Sequence, residues 1–382
     1  MKEPSHQVVP VSEPRSLYLH IPFCPSICPY CNFHKMRRNE GLVAAFLERL
    51  TEEAGALYAH FGGELDTIYF GGGTPSHLSD GELAAVIAIL ERTWGWPAKK
   101  ETTLEADPLT FDRNRLDTFG VLGFDRLSIG VQSSQDDVLR FLGRLHRGHE
   151  GLAAIDMALE AGFNVSADLM TAVPGQDTAR DLHTLAQTGV PHLSVYTLTI
   201  EPQTPFARRG VTVDQDRDAD DFELAHTVLH GYGLERYEVS SHARPGFESV
   251  HNRVYWRGST FFGLGPSAAS FLPVRGAIGE RRKNHVIKAW LAGEPAEVLP
   301  VTAEDYLLEM LMTGLRTRHG VELDTLAART GLHLEERYRP VLEDAFKQGL
   351  LRRVGRRLIA TEQGLLRLDG LLRRFFQQPP QD

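Results

Sequence analysis

Cys24, Cys28 and Cys31 are the only cysteines among the 382 residues. Three thiols within eight positions, with none elsewhere to pair with them, suit a metal or cluster site better than a disulfide framework. Three thiolates fall one short of the four that usually hold a 4Fe-4S cluster, which would leave one iron open to a small-molecule ligand. A closed zinc site with His34 as fourth ligand is the other reading this spacing allows. One chain segment later, Gly71-Gly72-Gly73-Thr74-Pro75 follows an apolar run. Side-chain-free residues there let the backbone approach a ligand closely, although an ordinary tight turn would carry the same residues.

These groups need elements to position them, and apolar extended runs alternate with helical patterns six times. Strands are expected at 16–21, 66–70, 102–105, 126–131, 164–170 and 193–200. Such alternation predicts a parallel sheet. Six βα units in residues 16–240 fit a barrel, complete or partial, with chemistry at the C-terminal ends of the strands; an open doubly wound sheet would give the same string. On that expected rim fall the cysteine loop, the glycine run, Glu105, Gln132, Asp168 and Thr199. Six polar positions at one end are harder to dismiss as solvated loop than any one alone.

After about residue 240 the alternation stops. Residues 241–300 read as an irregular linker, and residues 301–376 as helix, turn, helix, helix, hairpin and final helix, a winged-helix-like pattern. Residues 1–15 read as a polar tail and 377–382 as a disordered one. The basic end of the winged helix would suit DNA, but its third helix carries Glu335, Glu336, Glu343 and Asp344 where a groove reader would carry basic or amide groups. The net charge of −9 also argues against a nucleic-acid surface along the whole chain. With 42% apolar and 24% charged residues, no membrane span and no apolar run near its start, the chain reads as globular and cytoplasmic.

The Cys-x3-Cys-x2-Cys spacing after an apolar strand resembles that of the radical S-adenosylmethionine (SAM) superfamily. Together with GGGTP it resembles the branch that contains the coproporphyrinogen III oxidases (HemN) and the HemW-like heme chaperones, over roughly residues 15–375. The resemblance implies an α/β fold, a partial (β/α)6 TIM-like barrel followed by an α+β region that ends in the winged helix. It implies a 4Fe-4S cluster on Cys24, Cys28 and Cys31, with SAM chelated by the open iron and cleaved on reduction to a 5'-deoxyadenosyl radical. Cofactor contacts would come from Tyr18, Tyr30, Gly72, Gly73, Thr74, Glu105, Gln132, Arg144, Asp168 and Thr199.

Within the branch, Phe33 stands where HemN enzymes have a further cysteine, and His251 to Trp256 (HNRVYW) matches the HNxxYW motif associated with heme. An imidazole is an ordinary axial ligand of heme iron and aromatics pack on porphyrin faces, although a histidine beside aromatics is also commonly a hydrogen-bonded core residue. Ser267-Ala268-Ala269-Ser270 departs from the HemW pattern toward the HemN one. The function implied is a chaperone that binds heme through His251 and passes it to an acceptor hemoprotein such as a respiratory-chain enzyme. The alternatives are a radical enzyme of the HemN or methyltransferase kind and a zinc-stabilised regulatory protein.

Overall fold

The computed structural model describes residues 13–377, so the two expected tails lie largely outside the described residues. Six parallel strands form the centre: β1 (Ser16–Ile21), β2 (Thr67–Gly72), β3 (Glu101–Ala106), β4 (Arg126–Gln132), β5 (Asn164–Thr171) and β6 (His192–Thr197). They lie side by side in chain order. Beyond β6 an antiparallel pair is added, β7 (Glu235–Glu238) and β8 (Ser241–Ala243); beyond β1 the returning β9 (Phe262–Leu264) pairs in parallel. The sheet has nine strands, and among the described residues its two edges do not pair. The barrel is therefore partial, as expected.

Each strand alternates with a period of two. Leu17, Leu19 and Ile21, Ile68 and Phe70, Leu127, Ile129 and Val131, and Val165, Ala167 and Leu169 join the helices in the main core. The alternate set is polar and hydrogen-bonds from strand to strand inside the barrel: Ser16 with Thr67 (2.9 Å), Tyr69 with Glu105 (2.9 Å), Ser128 with Asp168 (3.4 Å) and Ser166 with His192 (2.7 Å). Burying a hydroxyl or carboxyl is tolerated only with such partners. Outside, α1 (Glu40–Phe61) turns Val43, Phe46, Leu50, Ala54 and Leu57 to the sheet, and its larger apolar side chains contribute about 1.5–3 kcal/mol each. The next helix, α2 (Asp80–Trp94), is opened by a reciprocal capping box between Ser79 and Glu82.

Residues 241–300 are not an irregular linker. Two of their segments, β8 and β9, belong to the main sheet, and Ala269–Leu272, Gly279–Lys283 and Glu297–Val301 make a separate antiparallel sheet. These strands are short and separated by turns, which hides their periodicity. Phe261, Phe271, Ile278 and Val301 from this region share a second core with Tyr306, Leu307, Leu311 and the rest of the C-terminal unit.

That unit runs helix (Ala303–Gly314), short strand (Val321–Glu322), helix (Leu323–Thr330), two short helices (Leu334–Arg337 and Arg339–Lys347), hairpin (Leu351–Val354 with Arg357–Ala360) and two last helices ending at Gln377. The expected continuous third helix is split because Pro340 offers no N–H and starts a new helix. Its basic hairpin is matched by acid: Arg353 pairs with Glu335, and Arg356 with Asp324. Among the described residues no helix is long and apolar enough to cross a membrane.

Candidate functional site

The cysteine loop leaves β1 at the C-terminal end of the barrel. Its two ends are pinned where Phe23–Cys24 pairs with Met36–Arg37, and Phe23 packs edge-on against Phe46 of α1. The glycine run is strapped to the same loop, since Gly73 N–H donates to the Ile21 carbonyl and Thr74 N–H to the Phe23 carbonyl, both at 2.8 Å. One cavity of about 410 Å³ opens here. Cys24, Cys28, Cys31, Tyr30, Gly72, Gly73, Thr74, Glu105, Gln132, Arg144 and Asp168 all line it.

The strand ends aim these groups. Glu105, near the end of β3, accepts from the Tyr69 hydroxyl and the Gly72 N–H, each at 2.9 Å. Burial nevertheless pushes its carboxyl up to about 7, with the Asp168 charge adding to the rise. Asp168 is raised to about 6, chiefly by burial. Gln132 sits at an irregularity in the pairing of β4 with β5 and has φ of 68°, a left-handed backbone unusual for a residue with a side chain. Such local strain recurs where a fold holds a side chain toward a ligand.

Arg144 is the counter-charge of the cysteine loop. Its guanidinium donates to Asp107 at 2.6 Å, to the Gly130 carbonyl at 2.7 Å and to the Cys28 sulfur at 3.7 Å. Burial opposes its charge, but Tyr30, Asp107 and Cys28 outweigh that and hold it protonated. The thiol of Cys24 is pushed up to about 11 by burial. A bound cation would reverse that shift, because coordination deprotonates a thiol.

Three unpaired cysteines face one cavity, the donor number and type that a cluster with one open iron takes. His34, the fourth ligand of the zinc alternative, does not line the cavity that the thiols face, and its Nε2 accepts from the Ile287 N–H at 3.0 Å.

Three expected residues stand outside the cavity. Tyr18 lies beneath it, stacked on Tyr69 with ring centroids 6.2 Å apart and bonded to His20 at 3.1 Å. Thr199 is two residues beyond the end of β6 and exposed, its hydroxyl donating to the Thr197 carbonyl at 3.4 Å. The expected strand at 193–200 overran because the Leu198 and Ile200 side chains are also apolar.

His251 is the largest departure. Its side chain is fully buried within the barrel, Nδ1 paired with the Thr67 hydroxyl and Nε2 with the Tyr255 hydroxyl, both at 2.8 Å, and its ring stacks on Tyr69 at 5.2 Å. Glu101 fixes the segment by accepting from Ser249 Oγ and the N–H groups of Val250 and His251. In this conformation neither ring nitrogen is open to an iron.

Tyr69, Asp107, Ser128, Met170 and Tyr196 also line the cavity, and sequence reasoning passed over them. Tyr69, Ser128 and Met170 were within reach of it, since the strand period of two that selects Glu105 and Asp168 selects them as well.

Residues 18–187 match the radical SAM superfamily and residues 301–367 the HemN C-terminal domain. The chain is 32% identical to the heme chaperone HemW of Bacillus subtilis, across 92% of this chain and 96% of that one. It is 34% identical to the heme chaperone HemW of Escherichia coli, across 96% and 99%. Among solved structures, coproporphyrinogen III oxidase (HemN) from Escherichia coli, described as a radical SAM enzyme, superposes with a TM-score of 0.81 over 96% of this chain and 90% of that one. At 22% identity that likeness is one of fold.

Proposed function

This chain belongs to the HemW branch of the radical SAM superfamily, and on that premise we propose that it is a heme chaperone, carrying heme to an acceptor hemoprotein, with a 4Fe-4S cluster and SAM at the barrel mouth. The observation that carries the cluster assignment is the convergence of Cys24, Cys28 and Cys31 with the buried Arg144 on one cavity. The names of the relatives supply heme. Cytoplasmic work suits thiols that must stay reduced.

In this reading Cys24, Cys28 and Cys31 would hold the cluster, and Gly72, Gly73, Thr74, Glu105, Gln132 and Asp168 would receive SAM beside it. Cluster and SAM together supply one-electron chemistry at a sulfonium. The protein's own part is electrostatic and steric. Arg144 donates to the Cys28 sulfur and would offset the negative charge of cluster-bound thiolates. Glu105 and Asp168 present carboxylates to a cationic ligand once deprotonated, and the backbone at Gly72 and Gly73 allows it to approach closely. Phe33, 63% exposed at the cavity mouth, offers an apolar surface and no fourth thiolate.

The test uses the full chain, reconstituted anaerobically with iron and sulfide, loaded with hemin and mixed with an apo-hemoprotein. We expect one cysteine-dependent 4Fe-4S cluster per chain, whose electron paramagnetic resonance changes on adding SAM, and transfer of heme to the acceptor. Stoichiometric loss of coproporphyrinogen with SAM consumption, and no heme transfer, would replace this reading with a radical oxidase.

A further inference from the structure

A second cavity, of about 580 Å³, lies apart from the cysteine site and within the about 300–1,000 Å³ usual for cofactor pockets. It forms where the Asn252–Trp256 helix meets the edge strand β7 and the helices Ala303–Gly314 and Leu323–Thr330 of the C-terminal unit. Its walls are of two kinds. Trp256, Tyr306, Met310 and Leu326 give an apolar, partly aromatic side, and Arg253, Arg257 and Arg357 give a cationic one.

The positive charge there outweighs the negative charge of the carboxyls that line the cavity. Among the described residues the side chains of Arg253 and Arg257 make no hydrogen bond or ion pair, and Arg357 reaches only the His319 carbonyl at 3.3 Å. Nearby arginines are different: Arg318 holds Glu248 and Arg337 holds Glu304. Two carboxyls line the cavity, but neither balances the group. Glu322 caps the following helix through the Thr325 N–H at 2.6 Å, and Glu238 is buried, its carboxyl pushed up to about 8 by burial. Gathering like charges without counterions destabilises a fold, unless an anion arrives to meet them.

His319 lies among these arginines, its ring without a hydrogen-bond partner among the described residues. An imidazole placed so, with an open ring nitrogen, can ligate a metal. The HNRVYW stretch divides accordingly. His251 and Tyr255 face inward and fix the helix to the barrel, while Arg253 and Trp256 face the cavity.

We propose that this cavity is the heme site, with the propionates on Arg253, Arg257 and Arg357, the ring against Trp256, and His319 as the side chain that reaches the iron. The assignment rests on the chaperone reading above. His251 then acts as a positioning residue, and its loss weakens heme binding through the helix it anchors.

The test is titration of the full-length protein with hemin and with hemin dimethyl ester, followed at the Soret band, with iron content after reconstitution as the check on folding. Wild type is expected to bind hemin at least tenfold more tightly than the ester. An Arg253→Ala/Arg257→Ala double variant should lose most of that preference. His319→Ala should lose the nitrogen-ligated ferric spectrum and regain it with added imidazole, whereas His251→Gln should keep the spectrum at reduced affinity. Hemin binding to wild type that none of these substitutions alters by more than twofold would overturn the site and leave the chaperone reading standing. Absence of hemin binding to wild type would overturn that reading itself.

Discussion

Glu105 shows how a single carboxyl links the cavity to the barrel interior, since its two oxygens are bonded to Tyr69 and Gly72 while Tyr69 stacks on His251. Glu105 and Asp168 hold a proton more readily in the folded chain than their ordinary values of 4.5 and 3.8 imply. The stability they contribute is complete below those values and is lost as pH rises through about 6 for Asp168 and about 7 for Glu105. The melting temperature of the cofactor-free protein should therefore fall between about pH 5 and 7.5, and Glu105→Gln should flatten the upper part of that fall in a thermal scan. A pH-independent melting temperature would show that these carboxyls are not shifted. The residue types at this site were legible in the sequence because thiols, glycines and strand-end carboxyls advertise themselves. Burial was not. HNRVYW looks the same whether its histidine meets solvent or Thr67, and only the placement of residues 249–251 inside the barrel decides it.

At the scale of elements, the cysteine loop depends on a second loop packed against it. Gly143 has φ of 70°, and a Cβ there would come within 2.7 Å of Pro29 Cδ, between Cys28 and Tyr30. Gly143→Ala should cost about 1–3 kcal/mol in backbone strain and also push Arg144 off Cys28. Gly189 has φ of 81° with nothing close to its Cβ position, so Gly189→Ala isolates the backbone effect. We expect both variants to melt lower in denaturant and only Gly143→Ala to retain less iron per chain; equal iron retention would show that the loop contact does not matter. The six barrel strands could be read from the sequence because each carries enough apolar residues at alternate positions to mark it. The strands of 241–300 could not, being three to five residues long, and β9 is recognisable only from its distant partner.

For the whole molecule, the shared second core sets where the chain can be cut. Phe261, Phe271 and Ile278 pack against Tyr306, Leu311 and Leu315, so truncation after residue 300 would bare an apolar face instead of freeing a domain. Such a truncated chain should aggregate or bind a hydrophobic dye strongly, and a soluble, monomeric product with unchanged near-ultraviolet circular dichroism would contradict the shared core. The same economy shapes the closing of the main sheet. Phe262 lies in register with Leu17, which places the outermost partner of the first strand late in the chain. A ribosome adds about 5–20 residues each second, so every newly made copy spends many seconds with that first edge bare beside its cysteines. An unpaired strand edge is a template for wrong pairing. The chain thus passes its own birth in need of shielding, and conditions that slow translation should tax its yield before they tax its activity.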